Sequence, residues 1–291
     1  MTIAAGILHS GGVLLCADTQ HEAGAMKIHA PKIGHFDCPG GKIGFAFAGN
    51  SAFAISAIQK VSRKLQAASP KDTIGEIEKT LEKEYRRVVF AHPNQSTDWT
   101  LPYWLIVAYC EPDRGVSLFA TQEVTVRSVV DSECIGIGRD LANYLVRPWY
   151  QPGMTESDAL LLAAYMLSQV KRHVPGCGGQ SQFLSIRNNG TIGFCSSINL
   201  EHIEHHSSSY DVLAHRLLFA MASVGDEAEF EMVLKEFTSR VRLMRSGWKE
   251  IESQRDSLFD VLSRMREFRK ANQSTPESTI CDSSSQPPSR A

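Results

Sequence analysis

Met1-Thr2-Ile3-Ala4-Ala5-Gly6-Ile7-Leu8-His9-Ser10-Gly11-Gly12-Val13-Leu14-Leu15-Cys16-Ala17-Asp18-Thr19 opens the chain, and its reading decides the fold. Two apolar, β-compatible runs, Ile3 to Leu8 and Val13 to Ala17, flank the turn cluster His9-Ser10-Gly11-Gly12, the pattern of a hairpin. A loop centred on Ser10 pairs Leu8 with Gly12 and carries Thr2 opposite Asp18. Directly opposed residues share a face, with Cβ atoms about 5 Å apart. This register therefore sets a carboxylate beside Thr2, and a slip of one residue undoes it.

Thr2 stands directly behind the initiator methionine, and methionine aminopeptidase trims Met1 ahead of a small residue. The product carries nucleophile and base in one residue. Its hydroxyl attacks while its α-amine, titrating near roughly 7.7–8.0, takes the proton. Many chains begin Met-Thr without using it, so Thr2 alone also reads as an ordinary processed N-terminus.

Further along, Lys27 to Phe36 reads as one extended stretch with Lys32 before an apolar residue. A lysine held against Asp18 would be charged, desolvated and close to the Thr2 hydroxyl, where its field favours a developing alkoxide. Lys42 to Ala48 is a strand with small residues that stops at Gly49-Asn50-Ser51, where a helical pattern begins (Phe53, Ile55, Ile58, Val61, Leu65). Gly49 lets a substrate approach the backbone, and its N–H is the donor type an oxyanion hole needs.

With these residues in order, the first roughly 70 residues resemble a proteasome β-type subunit of the N-terminal nucleophile hydrolase superfamily. The matching segments are Thr2 to Ile7, Gly12 to Thr19, Gly24, Pro31-Lys32-Ile33 and Phe47 to Ser51. The spacing to Asp18 agrees with the family's, and that to Lys32 is about two residues shorter. The resemblance implies Thr2 as nucleophile, Lys32 as the cation lowering its pKa, Asp18 as holder of Lys32, and the Gly49 N–H as oxyanion donor. It also implies an α+β, four-layer αββα sandwich with no cofactor and no metal. Phe47, two residues before that glycine, would floor a specificity pocket.

The remaining pattern suits such a fold. Ser69-Pro70-Lys71-Asp72 reads as a capping box opening a charged amphipathic helix to about Phe90. Tyr103 to Cys110, Gly115 to Thr121 and Val124 to Val129 read as strands. A strand ends at Cys134 to Gly138 before a helix over 139–146. Thr155-Glu156-Ser157-Asp158 caps a helix to about His173, and Ser181 to Arg187 with Thr191 to Ser196 form a closing hairpin around Asn188-Asn189-Gly190.

Three departures from the family bear on turnover. Where active β-type subunits carry Gly-Ser-Gly near the terminal amine, this chain has Gly136-Ile137-Gly138. Where an Asp and a Ser are expected after the next helix, it offers His173 and Gly176. Gln20 replaces a basic residue after Asp18.

At 291 residues and 43% hydrophobic, the chain can bury a sizeable core. A net charge of −2 gives no case for nucleic acid or a membrane as partner. No window reaches the roughly 18 apolar residues of a spanning helix, and no secretory leader is expected ahead of Thr2. The seven cysteines are scattered without Cys-x-x-Cys and read as reduced thiols of a cytoplasmic protein.

Three segments follow: 1–225 as the hydrolase domain, 226–271 as a helical extension, and 272–291 as a Ser/Pro/Thr-rich disordered tail. In the extension apolar residues recur at steps of three and four (Leu234, Phe237, Val241, Met244, Trp248, Ile251, Leu258, Leu262, Met265). That stripe packs on a partner helix, in this chain or a neighbour, or lies on its own core. Glu201-His202-Ile203-Glu204-His205-His206, read as a strand, alternates its adjacent histidines between faces and reads as a solvated cluster ahead of a metal site. Gly176-Cys177-Gly178-Gly179 lacks the Lys-Ser/Thr of a phosphate loop and reads as a tight turn.

The function expected is a threonine-dependent amide or peptide hydrolase. The resemblance implies a homo-oligomeric ring or stacked assembly, acting on peptide or unfolded-protein substrates and served by an ATP-dependent unfoldase. An amidase acting on a small amide and a non-catalytic scaffold are the alternatives.

Overall fold

In the computed structural model, which describes residues 2–23, 26–67, 72–91, 103–111, 113–122, 125–195, 197–222 and 227–273, the opening hairpin forms as the apolar runs require. Strands β1 (Ile3–His9) and β2 (Gly12–Asp18) pair antiparallel. His9 lies opposite Gly12 and Ala4 opposite Ala17, so the turn is the two residues Ser10-Gly11. The register is one residue off the expectation, and it is Ile3 that this ladder carries toward Asp18. A two-residue turn matches strand twist better than a longer one, which accounts for the slip.

Beyond the hairpin run β3 (Gln20–Ala23), β4 (Met26–His29), β5 (Ile33–Cys38) and β6 (Gly41–Gly49). The stretch from Lys27 to Phe36 is thus two strands. Pro31, which lacks an N–H and cannot serve a central ladder, falls in the break with Lys32. Helices α1 (Ser51–Ala67) and α2 (Thr73–Ala91) follow. The N–H of Gly75 donates to Asp72 Oδ1 at 3.0 Å, capping α2. The capping role read for Ser69 to Lys71 lies outside the described residues.

Strands β7 (Tyr103–Glu111), β8 (Gly115–Gln122), β9 (Thr125–Val129) and β10 (Ser132–Gly136) lead to α3 (Arg139–Val146) and α4 (Glu156–His173). A reciprocal Thr155/Asp158 capping box starts α4, as its sequence dictates. Strands β11 (Ser181–Arg187) and β12 (Ile192–Phe194) close the sheet region, and α5 (Ser197–Ala222) and α6 (Glu227–Gln273) end the described chain. The segment 201–206 therefore lies within α5 and is not a strand.

All ladders are antiparallel. One sheet has the order β10-β1-β2-β11-β12, a second β5-β6-β7-β8-β9, and β3 with β4 forms a third. Small and branched residues from both large sheets, among them Ala4, Leu15, Ala46, Ala48, Ile106 and Ala108, form one buried cluster. A second cluster joins β1 and β2 to α3 and α4, and a third joins β6 and β7 to α1 and α2. The four-layer αββα sandwich expected above is corrected accordingly: the described residues build an α+β fold of three antiparallel sheets and six helices. Among the described residues the β3–β4 hairpin pairs with neither large sheet. On the outside, α5 packs against α4, and α6 joins α5 through the ion pair of Arg216 with Glu236 at 2.8 Å and the ring contact of Tyr210 with Phe237.

Of the α6 stripe, Phe237 meets the Tyr210 ring of α5 and Trp248 packs, partly buried, on the cluster that joins β1 and β2 to α3 and α4, while Val241 is exposed. The chain divides after Ile251, and the described residues beyond it continue α6. The side chains of Ile251, Leu258, Leu262 and Met265 lie outside the described residues, as does the tail 274–291. No described helix is long and apolar enough to cross a membrane.

The two large sheets approach closely where glycine leaves room. A Cβ on Gly44 would stand 2.3 Å from Ile186 Cδ1 and 3.2 Å from Leu15 Cδ1 of the facing sheet. Gly44→Val should therefore lower stability by about 1–3 kcal/mol through overpacking. A urea melt checks this, with an unchanged midpoint as the contrary result.

Candidate active site

Three segments distant in sequence meet at the end of the β1–β2 hairpin. Thr2 precedes β1 and is 2% exposed, while the side chains of Asp18 and Lys32 have no exposed area. The Thr2 hydroxyl donates to Asp18 Oδ1, which also accepts from the Ile3 N–H at 3.3 Å. Lys32 Nζ donates to the same oxygen at 2.7 Å, and further to the Thr2 hydroxyl and the Gln20 carbonyl. Contact between Thr2 and Asp18 is therefore made, although the backbone register is not the one that was to produce it. Thr2 stands one residue outside the ladder, and the carboxylate reaches it past the Ile3 amide.

A lysine ammonium has three protons, and here three acceptors receive them. The Lys32 backbone is held as firmly: its N–H donates to Gln182 Oε1 of β11 at 2.9 Å, and its carbonyl accepts from the Phe47 N–H of β6 at 3.1 Å. Burial lowers the Lys32 pKa from its ordinary 10.5, while the Asp18 charge opposes that fall.

The second carboxylate oxygen of Asp18 accepts from the Gly178 N–H at 2.8 Å. Gly178 belongs to the loop after α4 that reads in sequence as a simple turn. Its carbonyl accepts from the Gln20 N–H at 3.1 Å, and the Gln180 N–H donates to Thr19 Oγ1 at 2.9 Å. Gly179 has φ +76, and a Cβ there would meet His29 Nδ1 at 2.4 Å, so only glycine fits. Gly178, Gln182 and the Gln20 carbonyl are the partners that sequence reasoning missed. The one available signal was the run of glycines at 176–179.

Gly49 ends β6 opposite Tyr103 with φ +89, directly before Asn50, whose side chain accepts from the Ala52 N–H at 3.0 Å at the start of α1. Gly136, with φ +99, packs against the Thr2 backbone. A Cβ there would stand 2.3 Å from the Thr2 carbonyl oxygen and 3.1 Å from the Cβ of Ala48, the neighbour of Gly49. Ile137 is 44% exposed, and His173 faces solvent at the end of α4. Phe47 is buried in the α1 cluster with the His21 ring 6.2 Å away, and burial together with the Lys32 charge lowers the His21 pKa. Among the described residues no group of three His, Cys, Asp or Glu is placed to hold a metal. Removal of Met1 and the position of Gly24 lie outside the described residues.

Two solved structures of Anbu, the ancestral beta-subunit, share this architecture. Anbu from Yersinia bercovieri superposes with a TM-score of 0.56 at 15% identity, covering 72% of this chain and 94% of its own. A mutant of Anbu from Hyphomicrobium sp. strain MC1 gives a TM-score of 0.59 at 12% identity, covering 74% and 96%. Such identities establish a shared fold alone. No protein-family model and no curated protein sequence matches the chain. The resemblance to a proteasome β-type subunit is corrected by this likeness. The short motifs that carried it lie in the first roughly 70 residues, whereas the likeness to Anbu covers 72–74% of the chain.

Removing one partner of a buried ion pair strands the other charge, so Asp18→Asn should cost about 3–5 kcal/mol. The lysine itself has a signed pH signature. Between its lowered folded pKa and 10.5 the unfolded chain binds more protons, so stability contributed through Lys32 rises with pH in that window. Lys32→Met should lack this rise. Unfolding free energies of both proteins across alkaline pH check it, and parallel curves would contradict it.

Proposed function

We infer that the chain is an N-terminal-nucleophile hydrolase that cleaves amide bonds with Thr2. One observation carries the reading: a fully buried Lys32 ammonium in contact with both the Thr2 hydroxyl and Asp18. A buried cation is costly, and placing it on a hydroxyl is useful where that oxygen must bear negative charge. Once Met1 is removed, the free α-amine of Thr2 takes the hydroxyl proton as Oγ bonds to the scissile carbonyl carbon. The tetrahedral intermediate collapses with cleavage of the carbon–nitrogen bond, and the amine's proton leaves with the departing nitrogen. Water then attacks the ester, giving the acid and restoring the hydroxyl.

Lys32 supports the alkoxide in both steps, Asp18 holds Lys32, and the Gly49 N–H serves as oxyanion donor. The substrate class is peptide or unfolded protein. The likeness to Anbu supports a subunit assembly that encloses the site. Residues 1–225 carry the chemistry and 226–271 the extension, with an ATP-dependent unfoldase as the supplier of substrate.

The test is the intact mass of purified protein before and after an epoxyketone. Loss of Met1 and a single adduct on Thr2 is expected. Lys32→Ala should slow adduct formation by about a hundredfold or more. Retained Met1 would sink the mechanism, and a trimmed but inert Thr2 would assign the chain to a non-catalytic scaffold. Hydrolysis of small acyl-amides with no peptide cleaved would identify a small-amide enzyme.

A further inference from the structure

Helix α5 is tied to α4 by two carboxylates seven residues apart, and the two ties differ in what they touch. Asp211 accepts from Tyr165 Oη at 3.1 Å and from the Gln169 amide, and faces Arg172 at 3.9 Å. Its described partners are all on α4. Glu204 instead meets a group that belongs to the site's support. Lys171 Nζ donates to both Glu204 oxygens at 2.8 and 2.7 Å, to Ser181 Oγ at 3.0 Å and to the Gly179 carbonyl at 3.3 Å. The Ser181 hydroxyl donates in turn to Glu204.

This cluster is largely withdrawn from water, with the Lys171 and Glu204 side chains 14% and 17% exposed and Ser181 buried. Ser181 is the ladder partner of Asp18 on β11, and the Gly179 carbonyl follows Gly178, whose N–H holds Asp18 Oδ2. The Gly179 carbonyl shares its peptide plane with the Gln180 N–H and lies two planes after the Gly178 N–H, so a cation bound there and anchored by a carboxylate restrains the turn that carries the Asp18 donor. With the turn restrained at this end as well as through its bonds to Gln20 and Thr19, Asp18 keeps a donor on its second oxygen while its first serves Thr2 and Lys32. Without it, a buried carboxylate oxygen loses its hydrogen bond, and the carboxylate is free to turn away from Lys32.

We propose that Glu204 of α5, acting through Lys171 and Ser181, is a positioning residue for Asp18 and so links the outer helix to the nucleophile. The inference rests on the hydrolase reading for its effect on chemistry, but its structural step can be read separately. The experiment combines hydrogen–deuterium exchange of segment 176–182 with the kinetics of Thr2 modification by an epoxyketone. It uses the full chain and the variants Glu204→Gln, Lys171→Arg and Asp211→Asn. A Lys171→Met/Glu204→Leu double variant removes the ion pair without stranding either charge.

In Glu204→Gln and the double variant, exchange in 176–182 should rise by about tenfold. The maximal rate of adduct formation should fall by about tenfold with the reagent's binding constant unchanged, the split expected when positioning is lost and binding is not. Lys171→Arg should retain most of the rate, and Asp211→Asn should match the wild type in both readouts. Unchanged exchange in Glu204→Gln and the double variant overturns the proposal whatever the chemistry does. Equal effects from Asp211→Asn also overturn it, because the tie would then be general docking of α5. Faster exchange with an unaltered adduct rate overturns it as well. A wild type that forms no adduct refutes the hydrolase reading instead, and the exchange result then decides the anchoring alone.

Discussion

A lysine and an aspartate with no exposed side-chain area, 2.7 Å apart, set the terms for everything around them. Taking these charges out of water costs several kcal/mol per ion, and their mutual attraction recovers it only if the remaining protons and lone pairs are also satisfied. Satisfaction here comes from separate stretches of chain: the Thr2 hydroxyl before β1, the Gln20 carbonyl on β3 and the Gly178 amide after α4. Each of those stretches is held in place by the need of the ion pair. A pair of this kind adds little to stability over an apolar core.

The same economy governs the sheets. Their facing surfaces carry alanine at 4, 17, 46, 48 and 108, with glycine at 6 and 44. Small residues let the backbones come near enough for Lys32 to be fixed by both sheets at once, through Gln182 on one and Phe47 on the other. Larger side chains would part the sheets and lengthen both contacts. Close packing and the geometry of the site are therefore one constraint, and Gly136, pressed against the Thr2 carbonyl, is where they coincide.

Local pattern carried most of the elements into view. Thr155 to Asp158 named its own helix start, and the apolar-rich runs between Tyr103 and Val129 gave three strands close to their observed bounds. What local pattern could not carry was register and context. Whether the first turn holds two residues or three is a matter of backbone twist, and Ser10-Gly11 suits the shorter. The 201–206 segment, read as a strand, is helical where α5 packs on α4. Thr2, Asp18 and Lys32 were legible because each sits at a strand end or break in the first third of the chain. Gln182 and Gly178 were not, since each acts across 150 or more residues, Gln182 through a side-chain carbonyl with no local pattern to mark it and Gly178 through a backbone N–H that almost any residue type could have offered.

That asymmetry bears on how the likeness to Anbu should be weighed. At 12–15% identity, few side chains are shared, yet the superposition spans most of both chains. In this chain glycine is required by space at positions such as 12, 41, 136 and 179, and the buried charges at 18 and 32 require each other. Elsewhere any apolar residue of suitable volume keeps the core, so a sequence can drift far while the backbone stays. Ile137 and His173, both turned to water, lie outside the contacts that fix the lysine. Their place apart leaves the contacts of Lys32 with Thr2 and Asp18 untouched.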